Sequence, residues 1–370
     1  MEFIVNKADL ARELNLAQGV VEKKTTILIL SNVLLEAADG QLTVTATDLE
    51  LGVRCTCPAR VVRPGSGTLP AKRFLDYVRL LPDAEVTVKV QENHWANITC
   101  GRSKTRLAGM SRESYPELPD MPEALAAIPA SLLGGLIART IFAIAMEETR
   151  FTINGSLLVL KPDSVTMVST DGHRLAMVEA PAELPGVVGL YKALVPKKAM
   201  LELVKMISES GPEAKIEFSG DDNHLFFRLG DRVLTGRKLS GNFPDYERVL
   251  PKDHQYTLTL NREELRGSID RVAQFADERS KSIRVGIEDN ELRLFSSLSD
   301  MGESEEVISV EYTGAPVDIG FNAAYLSDFL RAVGGTEIEF HFRNGESAGE
   351  LRPQGGEGLN YRYVVMPMRI

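Results

Sequence analysis

Apolar residues recur three and four positions apart in three segments spread along the chain. They are Leu69-Pro70-Ala71-Lys72-Arg73-Phe74-Leu75-Asp76-Tyr77-Val78, Val195-Pro196-Lys197-Lys198-Ala199-Met200-Leu201-Glu202-Leu203-Val204 and Phe321-Asn322-Ala323-Ala324-Tyr325-Leu326-Ser327-Asp328-Phe329-Leu330. Pro70, Pro196 and Asn322 follow one another at intervals of 126 residues. A helix with one buried face needs this spacing, and proline suits a first helical position, where no backbone donor is required. A second helical stretch precedes each copy, at residues 10–20, 131–142 and 262–273, after a short strand such as Phe3-Ile4-Val5. Between the helices, residues 41–48 alternate with period two and end in Thr47-Asp48. Residues 164–171 echo them, and residues 291–297 do so more loosely, reaching Asp300 after two extra positions. Such alternation, rich in β-branched residues, predicts half-buried strands. Each unit closes near a proline, at Pro116, Pro244 and Pro367. The pattern predicts an α+β chain of three tandem homologous domains, each with two helices and antiparallel sheets, at residues 1–123, 127–250 and 252–370.

A length of 370 residues suits two or three domains. No apolar run is long enough to span a bilayer, and the first residues carry no signal-peptide core, so the expected location is cytoplasmic. Cys55, Cys57 and Cys100 lack metal-site spacing and read as buried thiols. The formal net charge of −10 argues against tight phosphate binding, which normally carries DNA affinity. Phosphate-binding loops, dinucleotide fingerprints and nucleophile elbows are absent, and no cofactor or metal is expected. Thr170-Asp171-Gly172-His173-Arg174 is the one stretch resembling an active site. Asp171 and His173 would be its acid–base pair, but Asp-Gly after an alternating strand is also a turn signal.

Several stretches together resemble the bacterial sliding clamp, the β subunit of the replicative DNA polymerase. They are Leu30-Ser31-Asn32-Val33-Leu34-Leu35, Thr47-Asp48-Leu49-Glu50, Thr149-Arg150-Phe151-Thr152-Ile153-Asn154-Gly155, Thr170-Asp171-Gly172-His173-Arg174-Leu175, Phe243-Pro244-Asp245-Tyr246, Gly320-Phe321-Asn322 and Val364-Val365-Met366-Pro367-Met368-Arg369-Ile370. The resemblance implies three clamp-fold domains per chain and a head-to-tail homodimer that rings double-stranded DNA without sequence preference. It implies no catalysis, but a processivity role for a replicative polymerase. A ring is retained topologically, which accommodates the acidic net charge.

The family's DNA contacts fall on Lys24, Lys72, Arg73, Glu147, Phe151 and Thr152, and Lys197 and Lys198 open a further helix expected to line the hole. Glu147 is an acid and would repel phosphate. For the dimer interface, Arg102, Lys104 and Arg106 alternate along one predicted strand. Glu303 and Glu305, with Glu306 beside them, form an acidic counterpart, suited to heterologous contacts. Leu107 and Phe275 map to the family's interface core, although ordinary core positions suit them equally. A peptide groove for polymerase, clamp loader and repair proteins is implied at Ile153, Thr170, Gly172, His173, Arg174, Leu175, Pro244, Arg248, Val249, Asn322, Tyr325, Val364, Met366, Pro367, Met368 and Arg369. Flexible Met366 and Met368 suit a receptor for several apolar anchors; read without the family, the C-terminal stretch is an edge strand. Two other classes stay open: an enzyme using Asp171 and His173, and a scaffold that never meets DNA.

Overall fold

The structure, a computed structural model, describes residues 1–22, 26–146, 151–356 and 358–369. Six α-helices lie among them: α1 (Lys7–Val20), α2 (Ala71–Leu80), α3 (Ala130–Thr140), α4 (Lys197–Ser208), α5 (Arg262–Val272) and α6 (Ala323–Ala332). The triplicate pattern survives with small shifts. Pro70 and Pro196 end strands instead of opening helices, pairing with Asn32 and Gly155, and each helix begins one residue later. Helix α1 begins three residues before its first apolar position. The Asn6 side chain accepts from the Ala8 amide and so caps the polar first turn, which the apolar spacing does not mark. Asn261 and Asn322 cap α5 and α6 in the same way.

The chain divides into two compact units, residues 1–134 with 198–238, and residues 135–197 with 239–370. In the first, an eight-stranded antiparallel sheet runs in the order Ala126–Pro129, Lys215–Gly220, His224–Leu229, Arg232–Arg237, Leu51–Pro58, Gln41–Thr47, Asn32–Ala38 and Gly65–Pro70. A five-stranded sheet carries Arg60–Arg63, Glu2–Asn6, Glu85–Val90, Trp95–Cys100 and, at its edge, Ser103–Ala108. Helix α1 packs on α2, burying Leu10, Leu14 and Ala17 from one and Phe74, Leu75 and Val78 from the other. The three cysteines are buried here, and burial pushes the Cys57 thiol up to about 12, far from reactive thiolate character.

The second unit repeats the plan. Its eight-stranded sheet runs Tyr191–Pro196, Gly155–Lys161, Ser164–Thr170, Arg174–Pro181, Asn360–Val365, Gly349–Pro353, Glu337–Phe342 and Tyr256–Asn261. A four-stranded sheet orders Gly302–Ser309, Glu291–Leu298, Ser282–Glu288 and Val317–Asn322. The C-terminal strand Asn360–Val365 is therefore central, not the edge its position suggests, because Arg174–Pro181 pairs along its free side. Phe329 of α6 is fully buried, with its ring stacked 5.0 Å from Tyr363 and tilted against Tyr361 at 5.3 Å. Truncating it to alanine leaves an aromatic-sized cavity. Phe329→Ala should therefore lower unfolding free energy by about 3–5 kcal/mol, read as a reduced denaturant midpoint at unchanged slope.

Candidate functional site

The strand Arg174–Pro181 lies antiparallel to Asn360–Val365, with Leu175 opposite Val364 and Met177 opposite Arg362. Residues directly opposite share a sheet face. On that face Leu157, Val159, Val168, Leu175, Met177, Leu194, Leu250 and Val364 form one apolar cluster, against which Leu239, Phe243, Tyr246 and Ala348 pack partly buried. Val249 immediately precedes Leu250 of the cluster in sequence and is 42% exposed; Met366, two positions beyond Val364, is 44% exposed. Two apolar side chains left in water beside a dry cluster make a surface able to take an apolar anchor. Pro244 and Arg248 are exposed on the connector, and Arg248 pairs with Asp245 at 2.8 Å. Of the expected groove residues, Leu175 and Val364 thus belong to the cluster, with Val249 and Met366 adjoining it. Leu157, Val159, Val168, Met177 and Leu194 were not foreseen as site residues, although their strand alternation was the available signal.

The stretch 170–174 is a turn between strands. The Asp171 carboxylate accepts from the amides of His173 and Arg174, both at 3.0 Å, and Gly172 takes the left-handed φ of 90° that the turn demands. Thr170 Oγ1 accepts from the Gly172 amide at 3.1 Å and donates to the Arg174 carbonyl at 2.6 Å. Asp171 is thereby occupied with the local backbone, and its other oxygen meets Arg174 Nε at 3.1 Å. His173 is exposed, and its carbonyl accepts from the Met366 amide at 2.9 Å.

Arg174 is buried and serves several elements at once. Its Nη1 meets Asp328 Oδ2 at 2.7 Å, its Nη2 donates to the Phe142 carbonyl at 2.6 Å, and its guanidinium lies 4.2 Å from the Tyr325 ring centre. Burial opposes the charge, but Tyr363, Asp328 and Asp171 outweigh it and raise the pKa. Its donors are engaged inside the fold, so meeting acceptors on an incoming peptide is not the role this geometry favours. Asn322 is likewise committed, accepting from Ala324 and Tyr325 amides and donating to the Ser280 carbonyl at 3.1 Å. Ile153 is buried, Pro367 is half-buried and Arg369 exposed, and the Met368 amide donates to the Gly320 carbonyl at 2.8 Å.

The charged residues fall in several settings. Lys72 and Arg73 are exposed on α2. Lys198 is exposed and touches Asp48, whereas burial and Arg174 lower the pKa of half-buried Lys197. Thr152 lies in the short turn Phe151–Ile153; Lys24 and Glu147 fall outside the described residues. Lys104 and Arg106 are exposed on the edge strand Ser103–Ala108, with Arg102 in the turn before it. Glu303 and Glu305 are exposed on the opposite-charged edge strand Gly302–Ser309. Glu306 does not join them, because strand alternation turns it to the other face, where Arg271 of α5 grips it at 2.6 Å. Among the described residues, no group of three His, Cys, Asp or Glu side chains is placed to hold a metal, and no helix is long and apolar enough to cross a membrane.

Repeats of one α+β pattern, joined by strands that continue each other's sheets, define the class of DNA-clamp folds. Family models for the N-terminal, central and C-terminal domains of the DNA polymerase III beta subunit match residues 1–119, 127–245 and 247–369. The beta sliding clamp of Pseudomonas aeruginosa is 33% identical over 377 aligned positions, covering 100% of both chains. A crystal structure of the DNA polymerase III subunit beta from that organism superimposes with a TM-score of 0.94 at 32% identity over 100% of both chains. Another from the same organism, bound to griselimycin, also gives 0.94 at 32% identity over all of both chains. The chain belongs to the DNA polymerase III beta subunit family.

A second ionic hub adjoins the cluster and has a pH signature. Burial opposes the Glu350 carboxylate, yet hydrogen bonds from Arg362 and Arg352 overcome it and lower its pKa from 4.5 to about 2. A depressed carboxyl stabilises the fold fully above pH 4.5 and loses that contribution as pH falls through 2. His341, lowered from 6.5 mainly by burial and then by Arg352 and His254, adds a loss that begins below pH 6.5. The urea midpoint should therefore fall between pH 7 and pH 3, and Glu350→Gln should flatten the lower part of that slope. An unchanged slope would refute the assignment.

Proposed function

We propose that two copies of this chain close into a ring around duplex DNA and tether replication and repair proteins to it, without chemistry of their own. One observation carries the reading: each chain holds both halves of a repeat junction that it does not itself complete. The two completed junctions pair Leu51 with Gly236 and Arg174 with Val365. Matching hairpins, Ser164 opposite Pro181 and Glu291 opposite Ser309, equate Gly302 with Arg174. Matching bridges, Thr68 with Met110 and Gly320 with Met368, equate Leu107 with Val365. The uncompleted junction therefore sets Leu107 of one copy opposite Gly302 of the other.

That register sets Arg106 opposite Glu303 and Lys104 opposite Glu305, so opposite charges meet along a new antiparallel ladder. Gly302 lies beside the Phe275 ring and has a φ of 130°, which favours glycine; in this register Leu107 of the other copy would approach the same ring. An exposed strand edge readily pairs with another chain, and a head-to-tail contact closes when the rotation allows. Exposed Lys72 and Arg73 supply local positive charge for a duplex, with Lys198 held beside Asp48, while topology supplies retention. The apolar cluster beside Val249 and Met366 supplies the tether, raising the partner's effective concentration on DNA. Such a ring works where the chromosome is copied, in the cytoplasm.

The protein should sediment as two chains, and protein held on a DNA circle should leave once the circle is cut; retention on the linear form would defeat topological holding. Glu303→Lys with Glu305→Lys should raise the dimer dissociation constant about tenfold or more, and adding Lys104→Glu with Arg106→Glu should restore it. An unaffected double variant, or no recovery in the fourfold one, would refute the register. At the tether, Val249→Asp should weaken griselimycin binding about tenfold while changing unfolding free energy by less than about 0.5 kcal/mol, since the position is on the surface. Equal affinity in a calorimeter would remove Val249 from the site.

A further inference from the structure

We infer that Glu350 and Arg362 are positioning residues for the partner site, holding in place the connector that walls the apolar cluster. The inference rests on the receptor reading above and deepens it. Glu350 is fully buried on the strand Gly349–Pro353, directly opposite Val364 of the cluster. Arg362 stands opposite Met177, so both side chains share the face on which the apolar residues collect. The polar pair thus abuts the apolar surface.

The connections run outward from one carboxylate. Arg362 donates from Nε to Glu350 Oε1 at 2.5 Å and from Nη2 to Oε2 at 2.9 Å. The same Nη2 donates to the carbonyl of Pro251 at 2.8 Å. Arg352 Nε donates to Oε1 at 2.7 Å, and His254 Nε2 lies 2.8 Å from Oε2. Pro251 and His254 belong to the connector that carries Phe243, Tyr246, Val249 and Leu250. Between Arg237 and Tyr256 this connector forms no strand of its own, and its backbone meets the strand Glu337–Phe342 only at its far end, where the Gln255 amide donates to the Phe342 carbonyl at 3.1 Å. Its short turn closes on itself, the Val249 and Leu250 amides both donating to the Tyr246 carbonyl, at 3.0 and 3.2 Å. The Glu350 hub ties the connector to the sheet through the Arg362–Pro251 hydrogen bond, with the His254 ring close against the same carboxylate.

Stability alone does not account for such a hub. Removing two or three charges from water costs about as much as their attraction returns, and well-packed apolar replacements often do as well. A guanidinium does what those replacements cannot: its planar fork holds a carboxylate and a carbonyl together at fixed angles. Lysine in its place keeps the charge but lacks the planar fork that fixes both contacts at those angles.

The test measures griselimycin affinity for the full chain and for Glu350→Gln and Arg362→Lys, well below each unfolding temperature, with hydrogen exchange at the Val249 and Leu250 amides. If the wall is in place about a tenth of the time, apparent affinity falls about tenfold. Both variants should show that loss, with faster exchange confined to the connector and the assembly's mass unchanged. Arg362→Lys keeps the test decisive should Glu350→Gln not fold. Unchanged affinity in Arg362→Lys, or exchange quickened evenly throughout the protein without loss of affinity, would overturn the inference. A failure of the unaltered protein to bind griselimycin would instead refute the receptor reading itself.

Discussion

Backbone pairing across repeat junctions is the constraint on which the other features depend. Leu51–Pro58 against Arg232–Arg237, and Arg174–Pro181 against Asn360–Val365, turn separate four-stranded halves into continuous eight-stranded sheets. Each pairing satisfies strand donors and acceptors that would otherwise face water or another chain. It also fixes register, and a slip of one residue would send Leu175 and Val364 to the wrong face. The proposed ring uses the same contact once more between copies, so one geometry serves folding and assembly alike.

Two buried charged hubs adjoin the second junction. Arg174 gathers Asp171, Asp328, Tyr363 and the Phe142 carbonyl; Glu350 gathers Arg352, Arg362 and His254. Both occupy positions where an apolar side chain would cost less to bury. Their common property is reach: Arg174 hydrogen-bonds Asp328 and the Phe142 carbonyl, and Arg362, paired with Glu350, hydrogen-bonds the Pro251 carbonyl. Apolar contact is non-directional and cannot set such angles. The proposed partner site is thus a soft apolar surface on a framework held by stiff polar ties.

An acidic chain on DNA is less paradoxical in this setting. Phosphate neutralisation raises affinity by counterion release, and the same contacts hinder sliding. In the proposed ring, where closure would prevent departure, local cations such as Lys72 and Arg73 would be enough, and the remaining surface can be acidic. One of the acidic stretches, Glu303 and Glu305, would in that proposed ring have the further task of choosing the basic edge at Lys104 and Arg106.

How much of this was legible in the sequence depended on range. Helical spacing in residues 71–80, 197–208 and 323–332, strand alternation, the triplicate order and the basic and acidic edge patterns are local, because helix and strand periods are set within a few residues. The Asp171 turn was legible for the same reason. Other features required folding. Arg174 proved to be a bridging residue, Glu306 turned away from the edge it neighbours, and Glu350 became a hub through Pro251, His254 and Arg362. The C-terminal strand became central because a strand nearly two hundred residues earlier pairs with it. Residue chemistry and local spacing already decided which side chains would seek burial and which would seek water. Tertiary structure alone decided which distant residues would meet, because strand register and the converging directions of side chains exist only once the sheets have formed.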